Sequence, residues 1–512
     1  MPEPARTMDS VLRHWSAAAP EKAAVVDPEA RLSYRDLDLS SARLAAGLIT
    51  AGVSKGTRVG LLLPNGVAWI QLACALTRIG AVLVPLSTLL RPRELAAQLR
   101  TAAVQHLITT VEFRGRRYLD ELGTPDRSEL PALQRIWDHR EAFELDAPRL
   151  PPGFVEALSA TVRPADLLTV IFTSGSSGAP KGIQHSHGNS FDAVRSGLAA
   201  RCVRADTRLY LPMPFFWVGG FSGGVMTALA AGATLVTEAI PTPETTLPLL
   251  SRERVTLFRG WPDQAEALAR QVDAVGADLS SLQPGSLEAL LPPPLRGAPG
   301  ARAKLFGMTE SFGPYCGYPA DTDMPAAAWG SCGKPFPGMT VRIADPETGA
   351  PVPTGTVGVI ELRGPHLMRG ICRRPDREVF TADGYYPTGD LGHLDADGFL
   401  FYHGRCDDMF KVSGATVYPS EVESVLRALP GVQGAFVTNV SGAQGDQVAA
   451  LVVGDPATVS EAELRAGARE RLSAFKVPAR WLLTDDADAV PRGATGKVDV
   501  ARLRTLFGPP QG

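Results

Sequence analysis

The feature that most constrains this sequence is a polar, glycine-rich stretch that directly follows a short apolar run. The run at 167–172, LLTVIF, carries no charge and is typical of a buried strand. The stretch at 173–182, TSGSSGAPKG, combines hydroxyls and glycines with one lysine, Lys181. Glycines let the backbone approach a phosphate chain, hydroxyls and N–H groups donate to its oxygens, and the lysine adds a positive charge. Together the two segments predict a phosphate-binding loop at the end of a buried strand.

The spacing within this loop differs from that of the common nucleotide-binding loop. Gly175, Gly178 and Lys181 do not fit the pattern G-x-x-x-x-G-K-[ST]. A flexible Gly/Ser linker is the structural alternative. A linker seldom follows a hydrophobic strand directly, and it does not need the PKG ending at 180–182. The phosphate-binding interpretation is therefore preferred.

Apolar strands alternate with helical segments on both sides of the loop. Predicted strands at 58–63 and 81–85 are mostly apolar, which favours a parallel sheet covered by helices on both faces. Short strands and Asp/Gly turns at about 330–402 predict a small β-rich subdomain. Capping boxes at Ser420 and Ser460 predict two helices of a compact α+β unit. The predicted fold is α/β, with a large N-terminal domain at 1–406 and a small C-terminal domain at 407–512.

Composition excludes several classes of protein. The net charge is −3 and the 51 basic residues are scattered, which argues against a nucleic-acid-binding surface. The six cysteines have no C-x-x-C spacing, so we expect free thiols in a reducing compartment such as the cytoplasm. The uncharged stretch at 209–237 is long enough to span a bilayer. Its prolines and glycine pairs instead predict a strand, a loop, a buried helix and a second strand.

Four more motifs follow the loop: FGMTE at 306–310, TGD at 388–390, GRCDDMFKVSG at 404–414 and PRGATGK at 491–497. With the loop, they resemble the ordered signatures of adenylate-forming enzymes, which include acyl-CoA synthetases, luciferases and peptide-synthetase adenylation domains. The pattern is most similar to that of acyl-CoA synthetases, and the resemblance covers nearly the whole chain. It implies a mobile C-terminal domain joined by a hinge.

The resemblance also implies roles for individual residues around ATP. Glu310 would hold Mg²⁺, Thr309 would approach the α-phosphate, and Phe306 stands where the family usually has tyrosine. Asp390 would accept hydrogen bonds from the ribose hydroxyls, and Arg405 would contact ribose or phosphate. The residues implied for the phosphates are Thr173, Ser174, Gly175, Ser176, Ser177, Gly178 and Lys181.

The last two motifs carry the predicted hinge and the catalytic lysine. By resemblance, the small domain turns about Asp407, and Lys411 and Gly414 shape the second half-reaction. Lys497 would bridge the substrate carboxylate and oxygens of the ribose or α-phosphate, neutralising charge in the transition state. Lysine occurs at only eight positions in this arginine-rich chain, which suggests that Lys181, Lys411 and Lys497 require a compact ammonium group.

The segment LPMPFFWVGG at 211–220 resembles the substrate gate of the family, with Trp217 in place of the usual histidine. Phe216, Trp217, Gly219 and Phe312 are the predicted pocket residues. The alternative is that these aromatic rings are only core. No aspartate follows that could pair with an amino group, so a neutral aromatic wall predicts an apolar acid other than a free amino acid.

The segment at 288–305 is much shorter than in the family, and its Gly-Gly-Ala element is missing. A lost strand-and-helix piece predicts a wider pocket that suits a bulky, polycyclic or aromatic acid. The alternative is that the proline-rich segment folds in and refills the space. The same loss leaves open how adenine is held.

The resulting prediction is an Mg-ATP-dependent carboxylic acid–CoA ligase that acts through acyl-AMP. Its partners would be a small carboxylic acid and coenzyme A, with no nucleic acid and no membrane span. One alternative is an enzyme that stops at the adenylate or loads a carrier protein. The other is a nucleotide-binding homologue without turnover.

Overall fold

The computed structural model describes residues 6–122, 129–146, 150–173, 180–406, 410–412, 415–442, 445–455, 458–492 and 498–508. The helices in these ranges are α1 (Met8–Ala18), α2 (Tyr34–Thr50), α3 (Val67–Arg78), α4 (Pro92–Thr101), α5 (Tyr118–Leu122), α6 (His139–Glu144), α7 (Phe154–Ser159), α8 (His187–Ser196), α9 (Val218–Gly220), α10 (Thr227–Ala231), α11 (Pro243–Arg252), α12 (Pro262–Ala269), α13 (Val272–Val275), α14 (Pro419–Arg427), α15 (Glu461–Arg471) and α16 (Val500–Thr505).

The strands in the same ranges are β1 (Ala23–Val26), β2 (Arg31–Ser33), β3 (Arg58–Leu62), β4 (Val82–Pro85), β5 (His106–Thr109), β6 (Glu112–Phe113), β7 (Arg116–Arg117), β8 (Arg135–Asp138), β9 (Leu167–Thr173), β10 (Lys181–Ser186), β11 (Arg208–Tyr210), β12 (Thr234–Val236), β13 (Leu257–Phe258), β14 (Phe306–Met308), β15 (Gly313–Gly317), β16 (Lys334–Pro335), β17 (Thr340–Ala344), β18 (Gly358–Arg363), β19 (Gly370–Ile371), β20 (Tyr386–Leu394), β21 (Leu400–Arg405), β22 (Phe410–Val412), β23 (Ala415–Val417), β24 (Val432–Gly442), β25 (Gly445–Gly454) and β26 (Arg480–Thr484).

Two large sheets, both mostly parallel, form the centre of the N-terminal part of the chain. The seven-stranded sheet has the order β19-β10-β9-β4-β3-β5-β8, with antiparallel pairs only at the β9–β10–β19 edge. The five-stranded sheet has the order β13-β11-β12-β1-β2, and only β1–β2 is antiparallel. One continuous hydrophobic cluster contains residues of both sheets and of helices α2, α3 and α8, for example Val25, Val59, Trp69 and Val194. The prediction of a helix-covered parallel sheet is confirmed.

The uncharged stretch at 209–237 is divided between strands and helices, as predicted. It contains most of β11, then α9, a π-helix at Phe221–Met226, α10 and β12. The wide π turn directly follows a pair of glycines, whose backbone can adopt conformations outside the regular α-helix. Among the described residues, no helix combines the length and the apolar character needed to cross a bilayer.

The remaining sheets are small. β17-β18-β20-β21 form a four-stranded sheet, and β24-β25-β26 form a three-stranded sheet whose strands pack with α14 and α15 in one hydrophobic cluster. The capping box at Ser460 is confirmed. The capping box at Ser420 is wrong, because α14 begins at Pro419 after Tyr418, and the Ser420 hydroxyl donates to the carbonyl of His403.

Packing divides the chain into two compact units. The first contains Met1–Val341, Leu362–Tyr386 and Gly398–Leu400, and the second contains Arg342–Glu361, Pro387–Asp397 and Phe401–Gly512. The second unit therefore includes most of the four-stranded sheet as well as the three-stranded sheet. The functional boundary between 406 and 407 stays a prediction.

Candidate active site

The FGMTE motif forms a tight turn between β14 and β15 in the first unit. Thr309–Ser311 is a single 3₁₀ turn, and Phe312 and Gly313 both have positive φ, at 54° and 111°. The hydroxyl of Ser311 accepts from the backbone N–H of Met308 at 3.3 Å and donates to the carbonyl of Gly313 at 2.6 Å. These local bonds fix the turn that carries Thr309 and Glu310.

A buried histidine holds this turn from the neighbouring sheet. His185, at the end of β10, donates from Nε2 to the carbonyl of Thr309 at 2.8 Å and accepts at Nδ1 from the amide of Asn189 at 2.8 Å. Asn189 Oδ1 in turn accepts from the backbone N–H of Ser186 at 2.6 Å, which fixes the orientation of the amide. Burial lowers the pKa of His185 to about 3, so the ring is neutral near pH 7 with its proton on Nε2.

His185 was not predicted from the sequence. The signal that could have found it is the S-x-x-N capping box at 186–189, which opens α8 immediately after β10. A box at that place indicates that the strand ends at Ser186, one residue after His185.

Glu310 is buried, with 7 % of its surface exposed. Its Oε1 accepts from the hydroxyl of Tyr386 at 3.2 Å, and its backbone carbonyl accepts from the N–H of Met368 at 2.8 Å. In the described ranges, no group of three or more His, Cys, Asp or Glu side chains is arranged to hold a metal ion. One carboxylate suits Mg²⁺, which usually takes one or two carboxylates and keeps water and phosphate oxygens as its other ligands. Tyr386 was also not predicted.

The predicted phosphate loop joins two antiparallel strands. β9 ends at Thr173 and β10 begins at Lys181, and these two residues are directly opposite each other. The strand before the loop is therefore confirmed, whereas Ser174, Gly175, Ser176, Ser177 and Gly178 lie outside the described residues. A Cβ on Gly182 would come within 3.0 Å of Val170 and 3.1 Å of Cys372, so close packing also favours a glycine here.

The TGD motif and Arg405 lie together in the second unit. Arg405 Nη1 donates to Asp390 Oδ1 and to the carbonyl of Thr388, each at 3.0 Å. Gly389 has φ of 73°, and a Cβ there would lie 3.0 Å from the Arg405 guanidinium. The Thr388 hydroxyl accepts from the backbone N–H of Asp390 at 3.0 Å and donates to the backbone carbonyl of Ile360 at 2.8 Å. The glycine thus leaves room for the ion pair.

Several predicted residues cannot be placed. Asp407, Gly414 and Lys497 lie outside the described residues, and so does the side chain of Lys411. Their roles stay predictions.

The aromatic residues of the predicted acyl wall take part in separate ring contacts within the first unit. Phe216 and Trp217 make an edge contact with ring centres 5.2 Å apart, and Trp217 precedes α9. Phe312 is fully buried, and its ring centre lies 4.9 Å from that of His185 and 6.0 Å from that of Phe221. A Cβ on Gly219 would lie 3.1 Å from the sulfur of Met213. Phe306 makes a similar edge contact with Tyr315, at 5.6 Å.

The shortened segment at 288–305 is packed. It forms two 3₁₀ turns, Glu288–Leu290 and Pro293–Leu295, and Leu290 and Leu291 are buried in a cluster with Phe258. Arg302 pairs with Asp323 at 3.1 Å and with Glu288 at 3.5 Å. The segment therefore fills at least part of the space at its own position.

Most of the chain matches models of one enzyme family and its C-terminal domain. Residues 12–372 match the AMP-binding enzyme family, and residues 421–497 match the C-terminal domain of AMP-binding enzymes. The chain belongs to the AMP-binding enzyme family. Its mixed α/β fold is that of adenylate-forming enzymes, as predicted: it superposes on ATP-bound MatB from Rhodopseudomonas palustris with a TM-score of 0.80 and 25 % identity, covering 98 % of this chain and 99 % of the other.

Two relatives are similar along nearly their full length. One is the 3-[(3aS,4S,7aS)-7a-methyl-1,5-dioxo-octahydro-1H-inden-4-yl]propanoyl:CoA ligase of Mycobacterium tuberculosis, 31 % identical, covering 98 % of this chain and 99 % of the relative. The other is a feruloyl-CoA synthase of an Amycolatopsis species, 31 % identical, covering 96 % and 97 %. These names confirm the prediction of an enzyme of the acyl-CoA synthetase class.

Proposed function

We propose that this AMP-binding enzyme joins a bulky, ring-bearing carboxylic acid to coenzyme A in two steps. First, a carboxylate oxygen of the acid attacks the α-phosphorus of ATP, and the bond from that phosphorus to pyrophosphate breaks. Second, the thiol sulfur of CoA attacks the acyl carbon of acyl-AMP, and the bond to AMP breaks. The thiol proton passes to solvent, and the products are the thioester and AMP.

The fixed Thr309–Glu310 turn is the observation that carries this proposal. Phosphoryl chemistry is accelerated by polar groups that are already oriented, because they do not reorganise as charge develops. His185 and Tyr386 hold the turn in that way, from separate parts of the chain. The Thr309 hydroxyl would donate to an α-phosphate oxygen. Glu310 would hold Mg²⁺, which when bound neutralises charge on the phosphate oxygens.

The other roles are carried over from the motifs. Asp390, oriented by Arg405, would accept from the ribose hydroxyls. Lys497 would neutralise the carboxylate and α-phosphate oxygens in the first step. Rotation about Asp407 would then replace Lys497 by a path for the thiol, with Lys411 and Gly414 shaping the second step.

A ring-bearing acid is favoured by the aromatic wall and by the relatives. Trp217 is partly exposed and offers flat apolar surface, the buried ring of Phe216 packs edge-on against it, and no aspartate lies between 210 and 237 to pair with an amine. The relatives named above act on a fused-ring propanoate and on ferulate, and both of these acids contain a ring. Burial of ring carbons gives about 0.8 kcal/mol per methylene-sized group, so a few carbons could give tenfold preference.

The test measures pyrophosphate and thioester in parallel. Purified enzyme with Mg-ATP is given paired acids of equal carbon number, one ring-bearing and one linear, with and without CoA. We expect stoichiometric AMP and thioester from the ring-bearing acids, and loss of pyrophosphate release in Glu310→Gln. A single burst of pyrophosphate with no CoA-dependent turnover would favour an enzyme that stops at the adenylate or loads a carrier protein. No pyrophosphate from any acid would refute the proposal.

A further inference from the structure

Behind the Thr309–Glu310 turn, Arg201 is buried without an acidic partner among the described residues. Arg201 follows α8 and has only 4 % of its surface exposed. Its Nη1 donates to the carbonyl of Val194 at 3.3 Å, but its Nη2 has no hydrogen-bond partner among the described residues. Burial and the neighbouring Arg259 lower the pKa of Arg201 to about 10, so the guanidinium keeps its charge at neutral pH. A buried charge without a partner costs folding free energy, and such charges are normally paired.

The second arginine lies at the end of a parallel strand. Arg259 directly follows β13, at the carboxyl edge of the sheet, where ligands of α/β proteins usually bind. Its Nη2 donates to the carbonyl of Arg201 at 2.9 Å, and its Nε has no partner in the described part of the chain. The residue as a whole is partly exposed, whereas its Nε is buried.

The Arg201 guanidinium adjoins the predicted acyl wall. A Cβ placed on Gly313 would lie 3.8 Å from Arg201 Nη2 and 3.0 Å from the hydroxyl of Ser222. Ser222 belongs to the π-helix after the Trp217 segment, and it donates to the carbonyl of Phe312 at 2.6 Å. Arg201 is therefore directly behind the residues that follow Glu310, next to the aromatic rings.

We propose that Arg201 and Arg259 bind a second carboxylate of the acid substrate, remote from the carboxylate that is adenylated. This inference rests on the proposed function and narrows its substrate to a ring-bearing dicarboxylic acid. A carboxylate accepts several hydrogen bonds in one plane and matches the fork of a guanidinium. It would offer acceptors to Nη2 of Arg201 and Nε of Arg259 and would reduce the repulsion between the two cations, of which only Arg259 has a nearby carboxylate, Asp321, among the described residues.

The first test compares three acids that share one ring scaffold. The position remote from the reacting carboxylate carries a second carboxylate, a methyl ketone or an ethyl group, and kcat/KM is measured by pyrophosphate release. We expect the dicarboxylate to exceed the ethyl compound by at least about tenfold, since hydrogen bonds between ionised groups are the strong ones. Equal values for the ketone and the dicarboxylate would overturn the assignment of an anion. Equal values for all three would overturn any recognition by these arginines.

Variants separate recognition from folding. Arg201→Met and Arg259→Met should each lower the ratio of kcat/KM for dicarboxylate over ethyl compound by about 10- to 100-fold. The matched control is Arg204→Met, which removes an exposed arginine on the same loop and should leave the ratio unchanged. A ratio that is unchanged in Arg201→Met and Arg259→Met would overturn the proposal.

Thermal unfolding supplies a readout that does not depend on turnover. Since Arg201 has no carboxylate partner among the described residues, Arg201→Met without ligand should unfold at the same or a higher temperature than wild type. The dicarboxylate should raise the unfolding temperature of wild type but not that of Arg201→Met. A large loss of stability in Arg201→Met, with equal stabilisation of both proteins by the dicarboxylate, would make Arg201 structural. If ethyl compounds are turned over and dicarboxylates are not, this inference fails while the ligase proposal stands.

Discussion

Replacing His185 tests how the Thr309–Glu310 turn is held. In His185→Phe the ring remains, but the donor to the Thr309 carbonyl and the acceptor for the Asn189 amide are both lost. A buried polar group without its partner costs about 1–3 kcal/mol. Asn189 is fully buried and cannot turn to water, whereas Thr309 is only partly buried. We therefore expect a stability loss of about 1–3 kcal/mol and a displacement of the turn that carries Thr309.

That displacement should affect one half-reaction more than the other. Misplacement of a positioning group by about 1 Å can lower a rate roughly 100-fold, so acyl-AMP formation in His185→Phe should fall about 10- to 100-fold. The rate of conversion of supplied acyl-AMP to the thioester should fall much less, because in that step the thiol attacks the acyl carbon and not the α-phosphorus. Both steps are measured separately, by pyrophosphate release and by thioester formation.

His185→Gln is the matched control, since its amide N–H can still donate to Thr309. It should retain more adenylation than His185→Phe. Because the pKa of His185 is about 3, neither variant should change the shape of the pH profile between pH 6 and 8. Equal losses in both half-reactions for His185→Phe, with no recovery in His185→Gln, would show that His185 only stabilises the fold.

Three further predictions concern the lysine loop, the hinge and acid stability. Lys497→Ala should lower acyl-AMP formation by roughly 10²–10³-fold but affect thioester formation from supplied acyl-AMP much less; an equal loss in both steps would contradict the assigned role. Asp407→Pro fixes φ and should leave adenylation largely intact while thioester formation collapses, and normal rates in both steps would refute the hinge. Burial lowers the pKa of His187 to about 4 in the folded chain, whereas a histidine in the unfolded chain has a pKa of about 6.5. Below about pH 6.5 the unfolded chain therefore binds more protons than the folded chain, and the free energy of unfolding decreases as the pH is lowered. At pH 5 the decrease is about 2 kcal/mol. The unfolding temperature of His187→Asn should therefore decline less than that of wild type between pH 7 and 5, and an equally steep decline would refute this.

Segments whose structure depends mainly on residues adjacent in the sequence could be predicted from the sequence. The uncharged run before the phosphate loop is β9, and the apolar runs at 58–63 and 81–85 contain β3 and β4. Their side chains are buried on both faces of a parallel sheet, and such strands are recognisable as short apolar runs bounded by turns. The failed capping box at Ser420 shows the limit of local pattern. Proline at 419 is suited to the first helical position, so the helix begins there and leaves the serine inside it.

Contacts between distant residues could not be predicted in this way. His185 and Thr309 are 124 residues apart, and Tyr386 and Glu310 are 76 residues apart. Glu310 was predicted as a site residue because its motif resembles the one that places a carboxylate near the phosphates in the family. The groups that orient it are set by the packing of β10 and β20 near the turn, and their spacing in the chain follows no fixed period.

The predicted binding site for the acid illustrates the difference between local patterns and contacts of distant residues. Judged from the residues near Trp217 in the sequence, the site is a neutral aromatic wall, and the short segment at 288–305 suggests extra space. In the folded chain that segment buries Leu290 and Leu291, so its length alone does not determine the width of the pocket. The burial of Arg201 could not be predicted from composition, because an arginine in an arginine-rich chain is expected to be exposed to solvent. Its burial without a carboxylate partner among the described residues is why we propose that charge, as well as ring size, determines which acid this enzyme selects.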